Sequence, residues 1–238
     1  ILADDAAAEV SSASAVQLPY FILAFVLFIL ALLFSRVNLP KIYYDNEDSN
    51  TEASIWSERY LLLGAVGIFL YVGIEVSIGG FIVNFITEPG ISDLSIKEAG
   101  NYVSYYWGAA MVGRFIGSVI LYKVRANLAL SVACVGALVL VATGVTASGS
   151  LAMWAVLSIG LFNSIMFSNI FTLSIEGLGM LTSRASGVLV MAIVGGAIIP
   201  LIQGALADSF GLQTSFIIGF VCYGYVLFFS LIIRLRSK

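Results

Sequence analysis

Glu75, Arg114, Asn163 and Gln203 are charged or amide side chains set inside long apolar runs. A carboxylate near the middle of a membrane helix costs about 2.5–3.5 kcal/mol on insertion scales, so Glu75 must face the bundle interior and have a partner. There it can accept hydrogen bonds from substrate hydroxyls or take part in a proton relay. A buried ion pair or a protonated acid held for packing remains the competing reading. Tyr71, four residues earlier, shares a helical face with Glu75. Asn84, nine residues later, lies 180° away on a straight helix. Glu75 and Asn84 can line one cavity only if the helix breaks at Gly79 and Gly80.

Trp107 and Arg114, seven apart, share a face of the next helix, while Tyr102 and Tyr106 share another with Gly113. Arg114 lies about two turns before Lys123, where a gating or packing role is favoured over substrate contact. The tyrosines read first as interfacial anchors, and Trp107 lies deeper. Asn163, with Ser164 beside it, and Gln203, on the face of Gly196, suit recognition of hydroxyl groups. They serve equally well as interhelical glue, worth about 0.6 kcal/mol on average. Pro200, following Gly195 and Gly196, marks a bend that could move. A ring that stacks on a sugar face, with acids and amides for its hydroxyls, makes Glu75, Asn84, Trp107, Asn163 and Gln203 the candidate substrate-binding set. Arg114, Gly79, Gly80 and Pro200 form a candidate gating and structural set.

The elements that must position these groups follow from hydropathy. The chain is 60% apolar and 11% charged, against roughly 45–50% and about a quarter for soluble domains. Apolar runs of about 20 residues, enough to cross a hydrocarbon core of roughly 30 Å, give seven spans. They lie near Leu18–Ser35, Leu61–Ile86, Ala99–Tyr122, Leu128–Thr146, Leu151–Phe171, Gly187–Ala207 and Leu212–Ile233. Pro19 suits a first helical turn, and Pro40 stops continuation of the first span. Ser95 and Glu98 form a capping-box pattern that starts the third span ahead of its apolar run. Gly113 and Gly117 form a small-xxx-small pair for close helix approach.

Basic residues set the direction. Arg36, Lys41, Arg59, Lys123, Arg125, Arg184, Arg234, Arg236 and Lys238 fall on one side of the seven-span model, and only Lys97 falls in a loop on the other. The chain's first residues are therefore expected outside and the C-terminus in the cytoplasm. The chain starts at Ile1, and residues 1–17 lack the features of a signal peptide, so this reads as a fragment with an extracytoplasmic segment before the first helix. The polar, acidic stretch 37–59 reads as a cytoplasmic linker between two bundles. In the last six spans, corresponding centres are separated by about 87 residues, the offset expected of a 3+3 inverted repeat.

With no His, metal and triad chemistries have little to work with. Cys134 and Cys222 read as small hydrophobes. No enzyme activity, cofactor, metal or nucleic-acid partner is expected. A heptahelical receptor shares the span count, but the last span lacks a Lys for a retinal Schiff base and no Asn-Pro-x-x-Tyr occurs.

Four stretches resemble the fucose:proton symporter family of the major facilitator class, especially its glucose/galactose transporter branch. They are Tyr71-Val72-Gly73-Ile74-Glu75-Val76-Ser77-Ile78-Gly79, Gly113-Arg114-Phe115-Ile116-Gly117-Ser118, Phe162-Asn163-Ser164-Ile165-Met166-Phe167 and Val190-Met191-Ala192-Ile193-Val194-Gly195-Gly196-Ala197-Ile198-Ile199-Pro200. The resemblance implies an all-α membrane protein: residues 18–36 as the last helix of an N-terminal bundle and 60–238 as a C-terminal six-helix bundle. It also implies hexose uptake by alternating access, with a proton, rather than sodium, as the coupling cation. The setting would be a bacterial inner (cytoplasmic) membrane, and the partners the lipid bilayer and an N-terminal half that carries important carboxylates. Without that half the fragment is expected not to transport. Ser168-Asn169 stands where the family commonly has Pro-Thr, Glu176 where Lys is common, and Gly80 where Ser is common. A major facilitator transporter of another small solute or drug shares the fold and is the alternative.

Overall fold

The computed structural model describes residues 17, 20–33, 36 and 55–236. Apart from residues 17 and 55–59, the expected extracytoplasmic segment 1–17 and linker 37–59 lie outside the described residues, as do Pro19 and Pro40. The chain divides into two units, Ile1–Ser49 and Asn50–Lys238. In the first, the described structure is an apolar helix, α1 (Tyr20–Leu33). Every described residue of the second unit lies in a helix, a turn or a short connection.

The second unit is built around α2 (Arg59–Ile86). Leu61, Gly64, Ile68, Tyr71, Ile78, Ile82 and Phe85 recur at spacings of three, four and seven and are all buried, so α2 forms the spine of the core. Around it lie α3 (Ile96–Lys123), α4 (Ala126–Thr146), α5 (Gly149–Asn163), α6 (Met166–Ile175), α7 (Thr182–Met191), α8 (Gly195–Phe210), the short α9 (Leu212–Ser215) and α10 (Ile218–Arg236). Five stretches are long and apolar enough to cross a membrane: Arg59–Ile86, Ala126–Thr146, Gly149–Ile175, Gly179–Phe210 and Leu212–Arg234. Helix α3 has 28 residues and the length to cross, but Lys97, Glu98, Asn101, Arg114 and Lys123 dilute its apolar content.

Three expected spans are interrupted. The fifth breaks at Ser164–Ile165, between α5 and α6. The sixth starts earlier than its apolar run and passes through a 3₁₀ turn at Ala192–Val194 before α8. The last breaks at Phe216–Ile217. The irregularity that composition allowed at Gly79–Gly80 does not occur. Helix α2 runs unbroken through Gly79 and Gly80, and α8 remains helical through Pro200, the interruption falling ahead of Gly195. Proline removes the hydrogen bond to the residue four positions back. The cost thus falls on Gly196, the second residue of α8, beside a turn already present.

Helix contacts use glycine where backbones meet. A Cβ on Gly195 would strike the Phe69 carbonyl, and one on Gly73 would strike Ile199, which ties α2 to α8. Gly113 faces the Leu161 carbonyl and Ser164, Gly117 faces Ile165, and Gly160 faces the Tyr106 carbonyl, which ties α3 to α5 and the turn that follows it. The expected close approach at Gly113 and Gly117 is thus present. Gly195→Ala is expected to destabilise the protein by about 1–3 kcal/mol, because backbone cannot rotate out of the way. Gly80→Ala, with no atom within 4 Å of the added methyl, should be neutral or stabilising by up to about 1 kcal/mol through helix propensity. Thermal unfolding of the two variants in detergent checks the difference.

The capping box forms as expected. The Ser95 N–H donates to Glu98 Oε2 at 2.9 Å, the Glu98 N–H donates to Ser95 Oγ at 3.4 Å, and α3 begins at Ile96. The Ser95 hydroxyl, at 2.7 Å, and then its N–H hold the Glu98 carboxyl below its ordinary value of 4.5. A lowered pKa adds stability above the ordinary value and loses it as pH falls through the folded value. The first turn of α3 should therefore fray as pH drops below 4.5, and Ser95→Ala, which removes the hydroxyl but keeps the N–H, should weaken that pH dependence. Amide hydrogen exchange at Glu98 and Ala99 reads both effects.

Candidate functional site

Tyr71 and Glu75 on α2 face Arg114 and Ser118 on α3 across a cavity of about 510 Å³. The interruption after α5 contributes Ser164 and Ile165, the start of α6 adds Phe167 and Ser168, and the 3₁₀ turn before α8 adds Ile193. Two of the three helix interruptions therefore border this charged cavity. Irregular backbone at membrane depth is tolerated where it lines a cavity, because its unpaired polar groups need partners. A cavity of about 800 Å³ bounded by Phe69, Leu70, Ile199, Leu206, Phe220 and Cys222 is larger but apolar, and a smaller one of about 410 Å³ between α3 and α4 is almost wholly apolar. Size alone is a poor guide here, because the larger cavity has no charged or hydroxyl side chain and the smaller has only Ser164.

Behind the cavity wall Asn163 joins four helices. Its Oδ1 accepts from the Tyr223 hydroxyl of α10 at 2.8 Å, and its Nδ2 donates to the Tyr106 oxygen of α3 at 3.0 Å. Tyr106 in turn donates to the Glu75 carbonyl at 3.4 Å. The Asn163 carbonyl, at the last residue of α5, accepts the Tyr71 hydroxyl at 2.8 Å. Breaking the helix at this point gives the Tyr71 hydroxyl a main-chain acceptor. The side chains of Asn163, Tyr106 and Tyr223 have no solvent exposure.

The sequence-based site residues separate into groups. Glu75 and Arg114 share the cavity, and the Arg114 charge acts on the Glu75 carboxyl. Asn163 stands one layer behind, engaged by tyrosines. Gln203 is fully buried away from the cavity lining, where its Oε1 accepts from Ser77 at 2.6 Å and its Nε2 donates to Ser215 at 3.4 Å. Trp107 is half-exposed, edge-on to Tyr106 with ring centroids 5.2 Å apart, and its ring seats against Gly79. Gly79 thus acts as a seat for Trp107. Asn84 is exposed on the unbroken α2 and does not line the cavity.

Tyr106, expected at the interface, is instead fully buried because its hydroxyl has partners in Asn163 and Glu75. Tyr223 was absent from the expected set. A tyrosine in the middle of an apolar helix was its available signal, since a buried phenol finds a partner. Ser118 and Ser168 also join the lining without having been singled out. Among the described residues, the buried donor Asn169 Nδ2 on α6 has no hydrogen-bond partner.

No protein-family model matches the chain. Over 224 residues it is 47% identical to a glucose/galactose transporter of Brucella abortus, a match that covers 93% of this chain and 54% of that protein. It is 41% identical over 228 residues to a putative glucose/galactose transporter of Helicobacter pylori, covering 94% and 56%. With the L-fucose-proton symporter of Escherichia coli the identity is 26% over 231 residues, covering 94% and 52%. The chain thus spans about half the length of the curated relatives it matches. Among solved structures, FucP, a major facilitator superfamily transporter in the outward conformation, matches with a TM-score of 0.81 at 25% identity, over 94% of this chain and 55% of that one. A second structure, of the Escherichia coli fucose:proton symporter, gives 0.82 at 26%, with the same coverage.

Proposed function

We propose that this chain, homologous to glucose/galactose transporters and similar in fold to part of a major facilitator transporter, is the C-terminal portion of a proton-coupled hexose carrier. The observation that carries the proposal is the cavity itself. It combines an acid, an arginine, three serines and Phe167, and two helix interruptions border it. Its volume falls in the usual range for small-molecule sites, about 300–1,000 Å³. The hydroxyls of a hexose require both donors and acceptors, and an aromatic edge or face suits its C–H surface. Glu75 supplies acceptors, Arg114 donors, and Ser164 and Ser168 both.

In this reading α1 is the last helix of an N-terminal bundle and residues 60–238 form a six-helix bundle of two inverted triplets. Two features support it. The offset of about 87 residues between corresponding spans matches such a repeat. Arg59, Arg125 and Arg184 lie at or near helix starts, whereas Lys123 and Arg234 lie at or near helix ends, as expected when one membrane face is cytoplasmic. The other half of the cavity wall would come from the N-terminal half, and alternating access would expose the site to each side in turn. Asn163 and Gln203 then hold the helices behind the site, Trp107 packs on Gly79, and Arg114 serves the cavity at its cytoplasmic end.

The complete transporter in proteoliposomes tests the proposal. An inward proton gradient should drive accumulation of radiolabelled glucose or galactose, and a protonophore should abolish it. Accumulation of neither sugar under any imposed proton gradient would refute it.

A further inference from the structure

The Tyr71 hydroxyl has one proton and faces two acceptors. It donates to the Asn163 carbonyl at 2.8 Å, and the Glu75 carboxyl, one turn along the same helical face, lines the same cavity. A phenol donates once, an ionised carboxylate only accepts, and a protonated carboxyl can donate. While Tyr71 serves Asn163, its oxygen can bond Glu75 only by accepting, and then the carboxyl must carry a proton. When Glu75 is ionised, the charge-assisted bond to it is roughly twice as strong as a neutral one and draws the hydroxyl away from the carbonyl.

We propose that Glu75 is a proton-binding group whose ionisation swings the Tyr71 hydroxyl from the Asn163 carbonyl to its own carboxylate, releasing the backbone at the interruption between α5 and α6. The proton leaves Glu75 into the cavity, Tyr71 keeps its own, and one hydrogen bond is exchanged for another. The released carbonyl stands four residues before the Phe167 N–H, the spacing of an α-helical bond. Its closure would mend the helix and move Ser164 and Phe167, both of which line the cavity. Proton release would thereby change the shape of the site.

The groups acting on Glu75 are Tyr71 on its own helix and Arg114 on α3, while Glu75 in turn acts on Tyr106 of α3 and Tyr223 of α10. Of these Arg114 alone is charged at neutral pH, and its charge is permanent. Helices α5, α6 and α9 contain no ionisable side chain, while Arg184 of α7 and Asp208 of α8 are not among the groups acting on Glu75. Glu75 is therefore the group at this cavity that changes charge with pH.

The inference rests on the carrier reading only in linking the proton to sugar, so its test has a part that needs no sugar. In the purified full-length protein, pH-difference infrared spectra should show a carboxylic C=O band that appears on acidification. The band should vanish in Glu75→Gln and shift in Tyr71→Phe, which removes its hydrogen-bond partner. In hexose counterflow, the rate should vary with pH in the parent protein, and the residual rate of Glu75→Gln should be flat. A band insensitive to both substitutions, or an unchanged counterflow pH profile in Glu75→Gln, would overturn the inference. If Glu75→Gln does not fold, Tyr71→Phe and Glu75→Asp decide. The shorter acid should keep a titrating band that Tyr71→Phe no longer shifts, and an undiminished shift would overturn the inference. A band with the expected shift in a protein that moves no hexose would sink the sugar reading and leave the switch standing.

Discussion

Replacing Asn163 with Ala is expected to destabilise the protein by about 2–3 kcal/mol, because it strips two buried tyrosine hydroxyls of a partner at about 1–3 kcal/mol for each unsatisfied group. Tyr223 loses its acceptor outright, whereas Tyr106 loses a donor but keeps its bond to the Glu75 carbonyl. The Tyr71 bond survives, since it uses the main chain of Asn163. Interhelical hydrogen bonds in membranes average only about 0.6 kcal/mol where the unfolded chain finds other partners, which is why the estimate stays at the low end. Tyr223→Phe alone should cost about 1 kcal/mol. The double variant should cost less than the sum of the two, because the orphaned phenol has gone with its partner. Equilibrium unfolding in detergent micelles measures all three, and strict additivity would contradict the proposed hub.

Glu75→Ala should lower gradient-driven hexose uptake by the complete transporter about 10- to 100-fold. The estimate takes one charged-group hydrogen bond, about 1.5–3 kcal/mol, at 1.4 kcal/mol per factor of ten. The loss leaves the Arg114 charge facing the cavity without the acid that acts with it. Asn84→Ala, at an exposed position outside the cavity lining, should change uptake little. Initial rates at matched expression separate the two variants, and equal losses would place the sugar elsewhere.

Much of the bundle was legible because its signals are local. Ser95 and Glu98 announce a cap within four residues, and Gly113 with Gly117 announces a close helix contact. Tyr71 and Glu75 share a face by spacing alone. The interruptions were not legible in the same way. Residues 151–171 form one apolar run, and nothing in their hydropathy shows that a hydroxyl from α2, 92 positions away in sequence, will bond the Asn163 carbonyl. The glycine pair suggested a break at Gly79–Gly80, but backbone freedom permits a break without requiring one. Two of the three breaks occur instead beside the charged cavity.

That Asn163 and Gln203 lie inside the bundle was readable, but their partners were not. An amide at mid-span suits substrate or a neighbouring helix equally, and only packing shows that Ser77 and Ser215 engage Gln203 while Tyr106 and Tyr223 engage Asn163. The same applies to Tyr106, whose type suggested the interface and whose position places it in the core.

Thiol labelling at the cavity wall tests the central claim most directly. Ser168→Cys in the complete transporter adds a reporter to a chain region whose native Cys134 and Cys222 are both buried. The account predicts that a water-soluble maleimide labels this position and that saturating glucose or galactose slows the labelling. Labelling that sugar leaves unchanged, or a thiol sealed from both aqueous sides throughout turnover, would contradict it.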